Sequence, residues 1–274
     1  NFNVKENEIF GLLGPNGAGK TTTLECMEGL RKFDNGNILI CGKNPQKASS
    51  EHLTGVQLQS SSLPAGINVK DAMTLFCKWN KISPRMDLLE TFGLSKILTK
   101  TYKEMSTGQK RKLHLALALA HNPKVVFLDE PTAGLDVEAR VNLHNEIRNL
   151  KSRGVTVVLA SHDMAEVASL CDRVGILVKG RIGKVGTPDE IVLEVKRETI
   201  IKVKVSGKIK SGQIGYLIPV SEINGYYSFK TDNILDGLGN LIDYIRKEKL
   251  ELLDLVVDKP TLEERYVEIT KEET

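Results

Sequence analysis

The sequence of 274 residues lacks the features typical of membrane-spanning, disulfide-bonded or nucleic-acid-binding proteins. No apolar run approaches the roughly 18 residues that cross a bilayer, and no signal peptide is visible. Four scattered cysteines with no C-x-x-C spacing argue against a disulfide framework or a zinc site. A net charge of +3 does not mark a nucleic-acid partner. We therefore expect any membrane role to come through another protein.

The ordinary composition, 41% hydrophobic and 27% charged, predicts one large globular domain or two smaller ones. In the first 190 residues, short apolar runs typical of buried strands alternate with amphipathic runs typical of helices. The predicted strands are Glu8–Leu13, Val125–Leu128, Val155–Ala160 and Val174–Val178, and the predicted helices are Thr22–Leu30, Glu138–Leu150 and Met164–Leu170. This alternation indicates an α/β domain with a mainly parallel sheet.

The middle of the chain predicts a helical subdomain at about 66–122. Residues 69–98 have helical periodicity. The run 113–120 alternates like a strand, but its leucines and alanines favour a helix, with Ser106 as a candidate N-cap. Asn122-Pro123 should end this helix, because proline disfavours helical geometry in the preceding residue.

Other segments of the first 65 residues give weaker indications. The polar stretch 46–65 is predicted to be loop-like, and the turn at 34–36 followed by apolar residues 38–40 predicts a hairpin. Phe2-Asn3-Val4 resembles the end of a strand. We expect that the first strand is truncated and that the true N-terminus lies upstream.

Composition shifts near residue 195. The segments 200–205, 226–229 and 252–257 are predicted strands, and 234–249 is a predicted helix. We therefore predict a first domain at 1–194 and a small C-terminal α+β accessory domain at 195–274.

The segment 14–22, here called the phosphate loop, fits the pattern G-x-x-x-x-G-K-[ST] between a predicted strand and a predicted helix. Its glycines allow successive N–H groups to point at an anion, and the helix start adds its dipole. Lys20 can reach the β- and γ-phosphates, and Thr21 can offer its hydroxyl to Mg²⁺. The alternative is a Gly-rich turn before an ordinary helix. The predicted nucleotide-binding residues are Gly14, Pro15, Asn16, Gly17, Ala18, Gly19, Lys20, Thr21 and Thr22.

Asp129 and Glu130 end the predicted strand 125–128, so they belong at the sheet edge where ligands bind in open α/β folds. Asp129 is placed to hold Mg²⁺ through water, and Glu130 to polarise an attacking water. The alternative is a surface acidic pair that begins a turn at Pro131.

With these motifs in order, residues 1–190 resemble the ATP-binding subunits of ABC (ATP-binding cassette) transporters, which have a P-loop nucleotide hydrolase core. Met105–Gln109, here called the signature segment, resembles the family sequence L-S-G-G-Q. Ser106, Gly108 and Gln109 match, whereas Met105 and Thr107 depart from it. Because Thr107 replaces a glycine, the backbone there should approach phosphate less closely.

Three further positions follow from the resemblance. Gln59 matches the glutamine that contacts Mg²⁺ and the site of the attacking water, with Gln57 as a rival in the register. Asp136 ends Ala133–Asp136, which matches the D-loop, and it could equally be a plain N-cap. His162 matches the histidine that hydrogen-bonds the γ-phosphate. The other histidines, His52, His114, His121 and His144, are assigned no role.

The resemblance implies an Mg²⁺-dependent ATP hydrolase that works as a sandwich of two copies, or of one copy and a sister ATPase. Ser106 and Gly108 of the opposite copy would close over the ATP held by Lys20. Hydrolysis would open the sandwich and drive a separate transmembrane permease through the helical region after Gln59. The chain would then lie at the cytoplasmic face of the membrane. The residue that stacks on adenine would precede Asn1.

The tail resembles bacterial drug- and antibiotic-export ATPases, through Asp258–Val267, Cys171–Val174 and Gly186–Pro188. Export is therefore expected, with an importer ATPase as the alternative. A family member acting on ribosomes or DNA is disfavoured, because the chain has one cassette and no long coiled coil. A regulatory module without hydrolysis is disfavoured by Glu130 and His162.

Overall fold

A computed structural model describes residues 1–193, 199–209, 214–258, 261–263, 265, 266 and 269. The chain divides into two compact units, one of Asn1–Pro188 with Ile269–Thr274 and one of Asp189–Glu268. The predicted domain boundary at residue 194 lies outside the described residues. So do Lys259, Pro260, Glu264 and Val267 of the predicted tail motif.

A mostly parallel sheet forms the centre of the first unit. Its strands are β1 (Ile9–Leu13), β2 (Thr54–Gln57), β3 (Val125–Asp129), β4 (Thr156–Ser161), β5 (Arg173–Val178) and β6 (Arg181–Gly186). Their order is β2-β3-β4-β1-β5-β6, and only the pair β5–β6 is antiparallel among these described strands. β1, β3 and β4 are almost wholly buried apolar runs, as expected of strands with both faces covered. The predicted α/β class is confirmed.

Helices pack against this sheet; they are α1 (Lys20–Met27), α2 (Pro45–Ser50), α5 (Thr107–Ala118), α6 (Val137–Ser152) and α7 (Met164–Leu170). Two more helices, α3 (Val69–Trp79) and α4 (Met86–Thr91), pack against α5. Another helix, α8 (Pro188–Leu193), begins at the last residue of the first unit's main segment. Two short 3₁₀ turns, Ser95–Ile97 and Tyr102–Glu104, lie between α4 and α5. In the part of the chain that the structure describes, no helix is both long and apolar enough to cross a membrane.

The ambiguous leucine-alanine run is helical, as predicted. It belongs to α5, which Ser106 caps, and Leu113, Leu115 and Leu117 are all buried. The alternating pattern misleads because both faces of the helix are covered. The helix ends at Ala118, earlier than Asn122-Pro123, and the predicted helix 22–30 instead begins at Lys20 and ends at Met27.

The prediction of a loop over 46–65 is wrong over 46–57, which contains most of α2 and all of β2. β2 has few apolar residues, but it pairs along its length with β3. Gly55 lies directly under the end of α5, where a Cβ would stand 2.2 Å from the carbonyl oxygen of Ala118. Tertiary packing rather than composition therefore fixes this strand.

Two more local predictions are wrong. The hairpin after residue 36 reduces to a single bridge between Ile40 and Lys43. Residues 1–5 form no strand. Phe2 instead stacks on Phe10 with 5.2 Å between ring centroids, and the carbonyl of Asn3 accepts a hydrogen bond from the side chain of Arg173.

The second unit contains β7 (Thr199–Val205), β8 (Ile218–Ile223), β9 (Tyr226–Thr231), α9 (Ile234–Lys247) and β10 (Leu252–Asp258). The strands form an antiparallel sheet in the order β10-β7-β9-β8. Ile201, Val203, Phe229 and Leu241 are central to its core. The sequence predicts three of these strands and misses β8, an edge strand with every residue exposed and a proline in it.

Candidate nucleotide site

The sheet order brings the candidate functional segments to one edge. β4 lies between β1 and β3, and all three are parallel, so their carboxyl ends lie side by side. The phosphate loop follows β1, Asp129 and Glu130 stand at the end of β3, and His162 follows β4. This is the edge at which open α/β sheets bind ligands.

The phosphate loop has the backbone geometry of an anion cradle. Gly17 and Gly19 have φ values of +82° and +103°, which residues with a Cβ rarely adopt. A Cβ on Gly14 would lie 2.6 Å from the carbonyl oxygen of Leu177. The first hydrogen bond of α1 runs from the amide of Thr23 to Gly19, so the amides of the first helical turn remain for a ligand.

Lys20 is buried and points back over the loop. Its Nζ donates to the carbonyl oxygens of Gly14 at 2.8 Å and Pro15 at 3.2 Å. The same atom lies 3.4 Å from Oε1 of Glu130. A triphosphate in the loop would compete for this ammonium group, and it would offer several charged oxygens in place of one carboxylate.

Thr21 and Asp129 form a compact oxygen pair. The Thr21 hydroxyl donates to Oδ2 of Asp129 at 2.9 Å, and among the described residues the buried Oδ1 has no hydrogen-bond partner. Burial raises the pKa of Asp129, although the Thr21 hydrogen bond opposes the shift. A hydroxyl and a carboxylate with a free oxygen suit Mg²⁺, so the residues present fit this ion.

Glu130 and His162 form a second pair beside the first. Nδ1 of His162 lies 2.9 and 3.0 Å from the two carboxylate oxygens of Glu130, whose side chain is only 7% exposed. Because carboxylate oxygens only accept, Nδ1 must be the donor. Glu130 has φ +48°, a region that residues with a side chain occupy only when their surroundings hold them there.

Gln59 and its rival Gln57 differ in their surroundings. Gln57 ends β2 and is 1% exposed, and among the described residues neither atom of its side-chain amide has a hydrogen-bond partner. Gln59 lies beyond the strand and is exposed. The backbone carbonyl oxygen of Gln59 accepts a hydrogen bond from Nη1 of Arg111 at 3.2 Å. The structure therefore leaves both registers open for the predicted contact with Mg²⁺.

The signature segment is organised as a helix start. Ser106 Oγ accepts from the amide of Gln109 at 3.3 Å, and Gln109 Oε1 accepts from the amide of Ser106 at 3.1 Å, which completes a capping box. A Cβ on Gly108 would lie 3.3 Å from the Cβ of Ala139, on α6. Asp136 accepts from the amide of Ala139 at 2.7 Å, so it is an N-cap of α6.

The structure thus joins one set of predicted residues and separates another. Ion pairs and hydrogen bonds link Lys20, Glu130 and His162, and a hydrogen bond joins their sequence neighbours Thr21 and Asp129. Within the described ranges, no hydrogen bond or ion pair connects the signature segment to the phosphate loop.

One candidate residue was missed: Arg111 is half-buried on α5, and burial lowers its pKa although Tyr102, Asp129 and Glu130 oppose the shift. The sequence offered one indication of Arg111, because this residue stands two positions after the signature segment.

Comparison with known proteins gives relatives of one kind. Residues 1–133 match the ABC transporter family. The chain is 29% identical to the linearmycin resistance ATP-binding protein LnrL of Bacillus subtilis (strain 168), over 98% of this chain and 91% of that protein. It is 29% identical to the daunorubicin resistance ATP-binding protein DrrA3 of Streptomyces coeruleorubidus, over 97% and 88%. A match at 38% identity to the probable multidrug ABC transporter ATP-binding protein YbhF of Escherichia coli (strain K12) covers 70% of this chain but 34% of that protein.

Solved structures agree with these relatives. An ATP-binding subunit of an ABC transporter superposes with a TM-score of 0.63 at 27% identity, covering 70% of this chain and 84% of that one. CbiO1 from Clostridium perfringens, part of the ABC transporter complex cbiONQ, gives a TM-score of 0.63 at 29% identity over 71% and 82%. The chain therefore belongs to the ABC transporter family, in which it is an ATP-binding domain that hydrolyses ATP.

Proposed function

We propose that this ATP hydrolase powers export of a substrate through a separate transmembrane permease, at the cytoplasmic face of the membrane. The observation that carries the proposal is the linked group Lys20, Thr21, Asp129, Glu130 and His162 at one edge of the sheet. The resistance functions in the names of LnrL and DrrA3, which align over nearly the whole chain, support export.

In the proposed reaction, Lys20 and the loop amides hold the triphosphate of ATP. Thr21 and Asp129 would hold Mg²⁺, which neutralises charge on the phosphate oxygens. Glu130 accepts a hydrogen bond from the attacking water and takes its proton as the water oxygen bonds to the γ-phosphorus. The bond from that phosphorus to the β–γ bridging oxygen breaks, and ADP leaves with the electron pair. His162 orients the Glu130 carboxylate through Nδ1–H. With Nε2 also protonated, the ring could donate a second hydrogen bond to the γ-phosphate.

The proposed site is completed by a second subunit, either another copy of this chain or a sister ATPase. Ser106 and Gly108 stand at the start of α5, where the helix dipole and free amides suit an anion. Ser106 exchanges hydrogen bonds with Gln109 in its own helix, and Gly108 lies against α6. Among the described residues, neither contacts the phosphate loop of its own chain, so we propose that they bind the ATP of a facing subunit. Binding of ATP would then close two subunits, and hydrolysis would open them.

An exposed apolar pair on α3 is the proposed permease contact. Leu75 and Trp79 are one helical turn apart, and they are 58% and 85% exposed. Tryptophan at this exposure is costly in water and is a frequent anchor at protein interfaces. The pair lies in the helical subdomain after Gln59, through which we propose that motion reaches the membrane.

Transport in inside-out membrane vesicles tests the proposal. Vesicles from cells that express the chain with its permease should accumulate a fluorescent amphipathic drug when Mg-ATP is added, because uptake into such vesicles corresponds to export from the cell. Glu130→Gln should abolish accumulation, whereas Glu146→Gln, a matched change on α6, should not. ATP-driven loss of drug from preloaded vesicles would instead indicate import.

The α3 surface is tested by membrane binding. Trp79→Ala should release the chain from permease-containing vesicles while leaving the ATPase rate of the purified chain unchanged. Lys96→Ala, a change at an exposed position of the same subdomain, serves as the control. Retention of the Trp79→Ala chain on the vesicles would contradict the proposed contact.

A further inference from the structure

We infer that Glu166 is a positioning residue for ATP hydrolysis, because its carboxylate ties together the three segments that carry Glu130, His162 and the D-loop. Glu166 lies on α7 and is 3% exposed. Its Oε1 accepts from Oγ1 of Thr132 at 2.7 Å and from Nε2 of His144 at 3.1 Å. Its Oε2 accepts from Oγ of Ser161 at 2.5 Å. The inference rests on the proposed roles of Glu130 and His162.

Each donor belongs to a different part of the site. Thr132 stands two positions after Glu130, in the turn that leads to the D-loop. Ser161 ends β4 and directly precedes His162. His144 lies on α6, the helix that Asp136 caps. One buried carboxylate therefore fixes the turn after β3, the end of β4 and the helix after the D-loop relative to one another.

The electrostatics of the group fit this role. Burial would raise the pKa of Glu166, but hydrogen bonds from His144, Ser161 and Thr132 outweigh it and leave the pKa below its ordinary value. The side chain is thus held as a carboxylate, which accepts stronger hydrogen bonds than a neutral acid would. A buried charge of this kind tolerates little displacement of its donors, since each lost donor leaves it unsatisfied.

The backbone of Glu130 shows why such an anchor matters. Its φ of +48° lies in the left-handed region, and a neighbouring turn must hold it there. The amide of Ala133 donates to the Glu130 carbonyl at 3.2 Å, and Thr132 between them is fixed by Glu166. Ser161 also accepts from the amide of Asp163 at 3.0 Å, which fixes the backbone on the far side of His162.

Glu166 thus acts on the reaction through backbone neighbours of Glu130 and His162. Loosening it should misplace the Glu130 carboxylate relative to the attacking water while leaving the phosphate loop intact. A misplacement of about 1 Å can lower the rate of an oriented reaction by about 10- to 100-fold. Binding of ATP, which depends on Lys20 and the loop amides, should change little.

The test compares Thr132→Val, Thr132→Ser and Glu166→Gln with wild type, with rates expressed per bound ATP. Thr132→Val and Glu166→Gln should lower kcat per site about tenfold or more, with KM for ATP within about twofold. Thr132→Ser keeps the hydroxyl and should restore the rate. A purely structural role would instead reduce the number of ATP-binding sites without changing kcat per site.

Two outcomes would overturn the inference: a kcat per site of Thr132→Val within about twofold of wild type, or an equal loss in Thr132→Ser. If Glu166→Gln does not fold, the Thr132 pair decides the question. Glu130→Gln serves as the parallel control on the proposed function. If that variant itself turns over at the wild-type rate, the proposed role of Glu130 fails; if it is inactive while Thr132→Val is unaffected, only this inference fails.

Discussion

At the scale of single residues, we expect Lys20 to exchange partners when ATP binds. It is held by two loop carbonyls and Glu130, all of which a triphosphate would replace with charged oxygens. Lys20→Ala removes charge-assisted contacts of about 1.5–3 kcal/mol each, so the Kd for Mg-ATP should rise by at least about tenfold. Calorimetric titration measures it, with exposed Lys32→Ala as the matched control. An unchanged Kd would remove Lys20 from the proposed site.

Glu28 carries an unusual buried carboxyl group at the end of α1. It is 3% exposed, and among the described residues neither of its carboxylate oxygens has a hydrogen-bond partner. Burial, reinforced by the negative charges of Asp129 and Glu25, raises its pKa from 4.5 to about 7. The folded protein therefore binds this proton more tightly than the unfolded chain does.

Glu28 should make stability fall as the pH rises. Its contribution is full below the unfolded pKa of 4.5, and it is lost as the pH rises through about 7. Glutamine at this position cannot ionise. The unfolding free energy of Glu28→Gln minus that of wild type should therefore increase from about pH 4 to about pH 8, by up to about 3 kcal/mol. Denaturant titrations at both pH values measure this gain. A constant difference between the two proteins would show that Glu28 does not titrate in this range.

At the scale of elements, the start of α5 combines a structural and a functional role that substitutions can separate. Ser106→Ala removes the N-cap and should lower the unfolding free energy by about 1 kcal/mol, whereas Ser106→Asn keeps a capping oxygen and should cost little. Both variants alter the proposed contact with the ATP of a facing subunit, so both should lower the ATPase rate. A fully active Ser106→Ala would leave the residue with the capping role alone.

Elements with a strong local pattern were predictable, and elements fixed by neighbours were not. β1, β3 and β4 are continuous apolar runs, and α6 has a clear N-cap at Asp136, so both classes follow from the sequence. β2 and β8 are short or exposed, and their pairing partners define them. The predicted hairpin near residue 38 is wrong for the converse reason. The run there is apolar, but it forms only the bridge between Ile40 and Lys43 among the described residues and pairs with no strand.

The candidate site follows the same division. The phosphate loop, Asp129, Glu130 and His162 were predictable because each lies at or just after the carboxyl end of a strand, and these ends share one edge of the sheet. Glu166 and His144 were not, because neither stands in a motif and their role comes from a buried contact across α6 and α7. The register of Gln57 against Gln59 also depends on where β2 ends, which local sequence does not specify.

At the scale of the whole molecule, we propose that one chain holds half of an ATP site. Lys20 and Glu130 lie together, whereas the signature segment is capped on its own helix and packs against α6. Such a site would be completed only when ATP brings two subunits face to face. Slow hydrolysis should therefore trap the paired state.

Light scattering of the Glu130→Gln chain with and without Mg-ATP is the most direct test of ATP-dependent pairing. Removal of a general base typically lowers turnover by about 10²–10⁴-fold with little effect on binding, so ATP should accumulate in the paired state. We expect a dimer of Glu130→Gln with Mg-ATP, a monomer without it, and no dimer when Lys20→Ala is added. A monomer that binds ATP in every condition would contradict a site shared between two copies of this chain.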